Sequence, residues 1–186
     1  LLQRSATITP AFVELTFPAR TQRLRDDIPV NVRIGAPVGR DVEYMVTEDG
    51  EILRGDRRGT FVPEADLGNA PEALDIQASG DDVYVAARYA GVYHRDASGT
   101  WTNLGRPEAL GSPLSIATLS RGRLLLGTRA GGLGLWDGRT WCTIPTDTRL
   151  AINDISVAVD GRTAWLVGGQ TERNTTPLVL QVSVPP

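Results

Sequence analysis

The sequence predicts an all-β fold: a β-propeller of about four blades, each a sheet of four antiparallel strands, closed as a small ring or left as a partial propeller. Three observations predict it. The first is a repeat, visible when DVEYMVTEDGEILRGDRRGTFVPE, DDVYVAARYAGVYHRDASGTWTNL and GRLLLGTRAGGLGLWDGRTWCTIP are aligned. Gly50, Gly91 and Gly132 fall 41 residues apart, and Phe61, Trp101 and Trp141 fall 40 apart. Asp56, Asp96 and Asp137 follow at 40 and 41. The second is pattern: the segments are short, rich in Val, Ile, Leu, Thr and aromatics, and several alternate with period two, as in VYVAARYAGVY. Such alternation puts one side of a strand in a core. The third is punctuation. Asp49-Gly50, Asp137-Gly138 and Asp160-Gly161 are hairpin signals, because glycine takes positive φ without a steric cost.

A sheet repeated every forty residues or so cannot bury both faces alone, and stacking neighbours buries them. The expected boundaries are 28–68, 69–109, 110–149 and 150–186. Each copy opens on an apolar strand, LDIQAS, LSIATLS and INDISVAVDG, with Ile76, Ile116 and Ile155 spaced 40 and 39 apart. The repeat glycine lets strands approach or bend. The repeat Trp or Phe begins the outer strand and fills the gap between blades. The fourth copy, with TAWLVGG and PLVLQVSV, lacks the closing Thr-Trp strand. Residues 1–27 form an extension with one strand, AFVELTFP, whose Val13, Leu15 and Phe17 share a face. That strand is a candidate to close the last blade as a four-blade ring. A partial propeller, either a fragment or an arc completed by another subunit, is the alternative, and a small Ig-like sandwich over residues 5–60, using VELTF and VNVRIG, is a third. An arc leaves apolar blade faces in need of a partner. No helix is expected; PEALDI at 71–76 is claimed by the strand that follows.

The segments GVYHRDASGTW and GLGLWDGRTW resemble the repeats of two-component-regulator and Asp-box (BNR, sialidase-like) propellers. The resemblance spans residues 28 to 186. It departs from the Ser/Thr-x-Asp-x-Gly-x-Thr-Trp pattern: Asp137 abuts Gly138, and Gly99 abuts Thr100. The boxes are therefore degenerate, and in those families they are structural turns.

The bulk composition is that of a globular chain: 186 residues, 41% hydrophobic, net charge −3. All 19 basic residues are Arg, which a GC-rich bacterial genome explains. Basic and acidic residues interleave without a stripe, so nucleic acid is not an expected partner. One cysteine excludes an internal disulfide, and no apolar run reaches the ~18 residues of a membrane span. The chain opens Leu1-Leu2-Gln3, which reads as processed or trimmed, compatible with a removed leader or an upstream membrane anchor.

No set of residues marks an enzyme. His94 stands without a Cys, His or acidic cluster at ligand spacing, so no metal site and no cofactor are expected. Cys142 would need an activating His to act as a nucleophile and reads as a buried structural thiol. Arg54-Gly55-Asp56 spells the integrin tripeptide, but its Asp belongs to the repeat column and a turn. Asp26-Asp27 and Asp81-Asp82 lack the spacing of a Ca²⁺ loop. Asn174-Thr175-Thr176 is a glycosylation sequon, relevant only in a eukaryotic secretory setting. Arg88 and Arg129, each three residues before the repeat glycine, are expected on one face of the disc with Tyr89, and Thr47 is their expected counterpart in the first copy.

These observations point to a non-enzymatic module that binds protein partners or further copies of itself, outside the cytoplasm of a bacterium and as part of a larger complex. A carbohydrate-binding or sialidase-like site would need Arg88, Arg129, Tyr89 and Asp96 to converge. A sensor fragment of a larger signalling protein is the remaining alternative.

Overall fold

The structure, a computed structural model, describes residues 12–16, 21–25, 31–38, 41–56, 60–68, 72–169 and 176–184. It is built of strands, and the helical content of the described residues is two 3-10 turns, Glu108–Leu110 and Ser120–Gly122. A hairpin of β1 (Phe12–Thr16) and β2 (Thr21–Arg25) comes first. The first blade is β3 (Val32–Val38), β4 (Val42–Thr47), β5 (Glu51–Asp56) and β6 (Phe61–Asp66). The second is β7 (Ala73–Ser79), β8 (Asp82–Ala87), β9 (Gly91–Arg95) and β10 (Trp101–Gly105). The third is β11 (Pro113–Thr118), β12 (Leu124–Thr128), β13 (Leu133–Trp136) and β14 (Trp141–Ile144). The fourth has three strands, β15 (Ala151–Val157), β16 (Thr163–Gly169) and β17 (Pro177–Ser183). Within each blade the strands pair antiparallel in chain order.

The register makes the repeat exact in space. Each innermost strand carries an irregularity at the same place, at Arg33, Leu74, Leu114 and Asn153. Such bulges bend the strand locally. The backbone N–H at the start of each turn between second and third strands donates to the connection entering that blade: Glu48 to Asn31, Arg88 to Glu72, Arg129 to Ser112. Glu48, not Thr47, is therefore the counterpart of Arg88 and Arg129. The hydroxyls of Thr47 and Thr128 accept the N–H groups of Glu51 and Gly132. Gly132 thus aligns with Glu51, and Gly50 sits one position earlier than Gly91 and Gly132. Gly91 needs glycine twice over: its φ is +98°, and a Cβ there would collide with the Gly105 carbonyl.

Alternation along each strand sends one side chain to the blade before and the next to the blade after. Tyr44, Val46 and Ile52 of the first blade meet Ile76, Val83 and Val85 of the second. Tyr84, Ala86 and Val92 of the second meet Ile116, Leu124 and Leu126 of the third. Leu125 and Leu133 of the third meet Ile152, Ile155, Ala164, Leu166 and Leu178 of the fourth. Full burial of each such Leu or Ile is worth about 1.5–3 kcal/mol, so these three seams hold the stack together.

The two tryptophans of the aromatic column occupy one environment. Trp101 lies across the seam to the first blade, edge-on to Tyr44 at 6.5 Å, and its Nε1–H donates to Glu64 Oε1 at 3.2 Å. Trp141 lies across the next seam and donates to the Leu104 carbonyl at 3.0 Å. Phe61 covers Gly55, where a Cβ would come within 2.5 Å of the ring.

The stack is an open arc, not a ring. β3 packs on β7, β7 on β11 and β11 on β15, and no such packing joins the fourth blade to the first among the described residues. β1 pairs with β2 rather than with the edge of the fourth blade. Val32–Val38 opens the first blade rather than belonging to a sandwich with VELTF. The side chains of Val13, Leu15 and Phe17, the Asp26-Asp27 pair and the Asn174 sequon lie outside the described residues.

Candidate functional site

Turns between second and third strands, and the connections between blades, share one end of the stack. Here Glu72, at the entry to β7, bridges two arginines. Its Oε2 lies 2.5 Å from Arg88 Nη1 and its Oε1 2.6 Å from Arg33 Nη2. The bridge ties the second blade's turn to the first blade's inner strand. Arg88 is therefore held rather than projecting, and its Nε is buried without a partner among the described residues. Tyr89 is 65% exposed beside it, with the guanidinium carbon 5.9 Å from the ring centroid. Arg129 occupies the next blade's turn at the same end and is exposed. Arg88, Tyr89 and Arg129 thus lie at one end of the stack.

Asp96 does not join them. It lies beyond the far end of β9, a strand of roughly 16 Å at about 3.3 Å per residue. A glycan site made of Arg88, Arg129, Tyr89 and Asp96 is not assembled. Asp96 and Asp137 instead close hairpin turns. Asp96 Oδ1 accepts from the Ser98 and Thr100 amides, and Asp137 Oδ1 from Arg139 and Thr140. Hydrogen bonds from these turns hold both carboxyls below the ordinary range, from the Ser98 hydroxyl first at Asp96 and from the Thr140 amide first at Asp137. Asp56 ends β5 at the same end of the stack.

Three polar arrangements were not legible beforehand. Glu64 sits in the first seam, taking Arg95 Nε at 2.6 Å, the Tyr44 hydroxyl at 3.2 Å and the Trp101 indole. Burial, then Glu64, raises the Tyr44 phenol pKa. His94 Nε2 lies 2.7 Å from Asp82 Oδ1, with its ring stacked on Tyr84 at 4.6 Å, so the lone histidine is a hydrogen-bond partner within its own blade. Near the axis, Asp75 Oδ2 accepts the Ile116 amide of the next blade at 2.8 Å, and burial raises its pKa. Ser115, one blade on, donates to the Ile152 carbonyl at 3.0 Å. A polar groove of about 420 Å³ opens nearby, among Gln77, Thr118 and Ser156. Cys142 is exposed rather than buried: it follows Trp141 on an outer strand, opposite Leu135.

The fourth blade presents the least ordinary surface. Its Trp165, Val167 and Val179 are 46%, 41% and 63% exposed. By register these stand where Tyr44, Val46 and Ile52, and Tyr84, Ala86 and Val92, stand in the first two blades. Those counterparts, with Leu125 and Leu133 of the third, are all 4% exposed or less. Asp154 takes the place of Asp75, and its Oδ1 accepts its own neighbour's amide, that of Ile155, at 2.8 Å. By register this is an interblade face, uncovered among the described residues. At the other end of the stack the matching surface is covered: Met45 and Leu53 are buried.

No family model and no curated protein matches the chain. Solved structures do, and they are β-propeller-like. YCF48 bound to D1 peptide matches with a TM-score of 0.61 at 14% identity, over 80% of this chain and 52% of its own. A catalytically inactive virginiamycin B lyase from Staphylococcus aureus, with quinupristin, matches with a TM-score of 0.74 at 14% identity, over 94% and 59%. The extracellular domain of the putative one-component system BT4673 from B. thetaiotaomicron matches with a TM-score of 0.57 at 21% identity, over 74% and 20%. The chain therefore spans little more than half the length of the first two and a fifth of the third. At such identities the likeness is one of fold.

Proposed function

We propose that the chain is a non-enzymatic, protein-binding module that assembles into a larger extracytoplasmic complex. The observation that carries this reading is the open face of the fourth blade. Three large apolar side chains lie in water where the register buries their counterparts, and contiguous exposed apolar surface marks interaction sites. The loop end adds an exposed aromatic, Tyr89, beside an arginine, a pairing frequent at interface hot spots. Among the described residues no helix is long and apolar enough to cross a membrane. A peptide-bound propeller and an extracellular domain among the structural neighbours support the protein-binding and extracytoplasmic parts of the proposal. The sensor-fragment reading draws on the same extracellular domain.

The test is a paired capture experiment. The wild-type chain and a Val167→Asp/Val179→Asp variant are used as baits on an extract of the source organism. The reading expects a stoichiometric protein retained by the wild type and lost with the variant, at unchanged melting temperature. Identical capture by both baits contradicts it.

A further inference from the structure

Near the axis, toward the end of the stack opposite Tyr89, the inner strands of three successive blades line the groove of about 420 Å³. Its walls come from Gln77 of β7, Ala117 and Thr118 of β11, Ser156 and Val157 of β15, and Gly161 of the turn that follows. Register puts Gln77, Ala117 and Ser156 at one level of the three strands. Ala117 is the smallest of them and leaves the hollow between the other two. The Ser120 amide donates to the Gly161 carbonyl at 3.1 Å, which ties the turns of the third and fourth blades together beside it.

The main chain shows what the groove can hold. The Leu119 and Ala158 amides donate inward, to the Arg123 and Thr163 carbonyls. Strand alternation then turns the N–H and C=O groups of Ile116 and Thr118, and of Ile155 and Val157, toward the axis. At the level of Asp75 and Asp154 these amides are capped: Ile116 donates to Asp75 and Ile155 to Asp154, each at 2.8 Å. Two residues on, at the groove, Gln77 and Ser156 replace the carboxylates, and the amides of Thr118 and Val157 receive no such cap. Gln77 Nε2 donates to Asp75 Oδ1 at 3.5 Å, which leaves its Oε1 as an acceptor.

We propose that this groove binds a small uncharged polyhydroxy ligand, of the size of a simple sugar, across the second, third and fourth blades. A ligand hydroxyl accepts from the Thr118 or Val157 amide and donates to Gln77 Oε1, and the Thr118 and Ser156 hydroxyls serve either way. No charged side chain lines the groove. Asp75 and Asp154 stand one level away, near enough to repel each other, and hold off an anion. An ammonium group finds both carboxylates already engaged on main-chain amides. The volume falls in the range of small-molecule sites, about 300–1,000 Å³. The site uses neither β17 nor the uncovered face of the fourth blade, so it does not rest on the assembly reading.

The probes are glucose, galactose and mannose, with glucuronate and glucosamine as charged counterparts of the same ring. Each is titrated into the intact protein and followed by amide NMR. Saturable one-to-one binding of at least one neutral sugar is expected, with shifts at the Gln77 carboxamide and the Thr118 and Val157 amides, and with glucuronate at least tenfold weaker. Gln77→Ala and Thr118→Val should each weaken that binding at least fivefold at unchanged melting temperature. Where Gln77→Ala lowers the melting temperature, Ser156→Ala, at an exposed position, carries the same expectation. Val159→Asp, at the fully exposed tip of the turn after β15, should leave binding within twofold. No saturable binding of any of the three sugars, or shifts confined to other residues, overturns the site and leaves the assembly reading standing. Glucosamine bound tenfold more tightly than every neutral sugar assigns the groove to a cation and overturns the proposal.

Discussion

Single residues set the turns and the close approaches. Asp160 closes the turn between β15 and β16, its carboxylate accepting the Arg162 and Thr163 amides and the Thr163 hydroxyl. These bonds, led by the Thr163 amide, lower its pKa from 3.8 to about 2. A lowered carboxyl pKa means that its stabilisation is complete above 3.8 and is lost as pH falls toward 2. Side-chain carboxyl NMR should place the Asp160 midpoint near 2, and a midpoint at the ordinary value contradicts the turn. Gly127 is held by contact rather than by φ: a Cβ there would strike Ser115 Oγ and lie 2.6 Å from Ile152 Cγ2. Gly127→Val should cost about 1–3 kcal/mol in urea unfolding, the usual penalty of overfilling a seam. Asp-Gly pairs announced the hairpins in the sequence. Gly127 did not announce itself, because it must admit Ile152 of the next blade as well as Ser115 of its own neighbouring strand.

At the scale of elements, the seams are apolar with a polar fastening at the outer edge of the first. Glu64→Ala leaves Arg95 without its carboxylate and frees the Tyr44 hydroxyl and the Trp101 indole. A loss of roughly 1.5–3 kcal/mol is expected, as for hydrogen bonds to charged groups. The Trp101 indole proton should shift with it. An unchanged unfolding midpoint would mean that the Glu64 cluster does not help to join the first two blades. The Phe61, Trp101 and Trp141 column was legible because period and aromatic type coincide. Glu64 was invisible for the opposite reason: its counterpart Leu104 offers only a main-chain carbonyl for the same job, so no column of like residues forms. The His94–Asp82 pair was hidden likewise, since sequence spacing alone does not reveal which β8 residue meets a β9 side chain.

For the whole molecule, the repeat foretold stacked blades but left ring and arc open, because both bury the same seams. The difference lies at the two ends. Met45 and Leu53 are covered at the first blade, while Trp165, Val167 and Val179 are not at the fourth. Repeat stacks need polar or covered ends to remain soluble, and an uncovered end is a place for a neighbour. A charge at that end should therefore be tolerated. Val179→Asp is expected to leave monomer stability within about 0.5 kcal/mol, the usual range at an exposed position. Val92→Asp, at the register-equivalent buried position, is expected to unfold the chain, which circular dichroism distinguishes at once.

The most direct measurement compares thiol reactivity at those two equivalent positions. Val92→Cys and Val179→Cys are each made in a Cys142→Ser background and treated with a maleimide under native conditions, with the chain monomeric. Stacked blades ending in an open fourth face predict rapid modification at 179 and none at 92 until the protein is unfolded. Equal protection at both positions, or equal reactivity, would contradict the account.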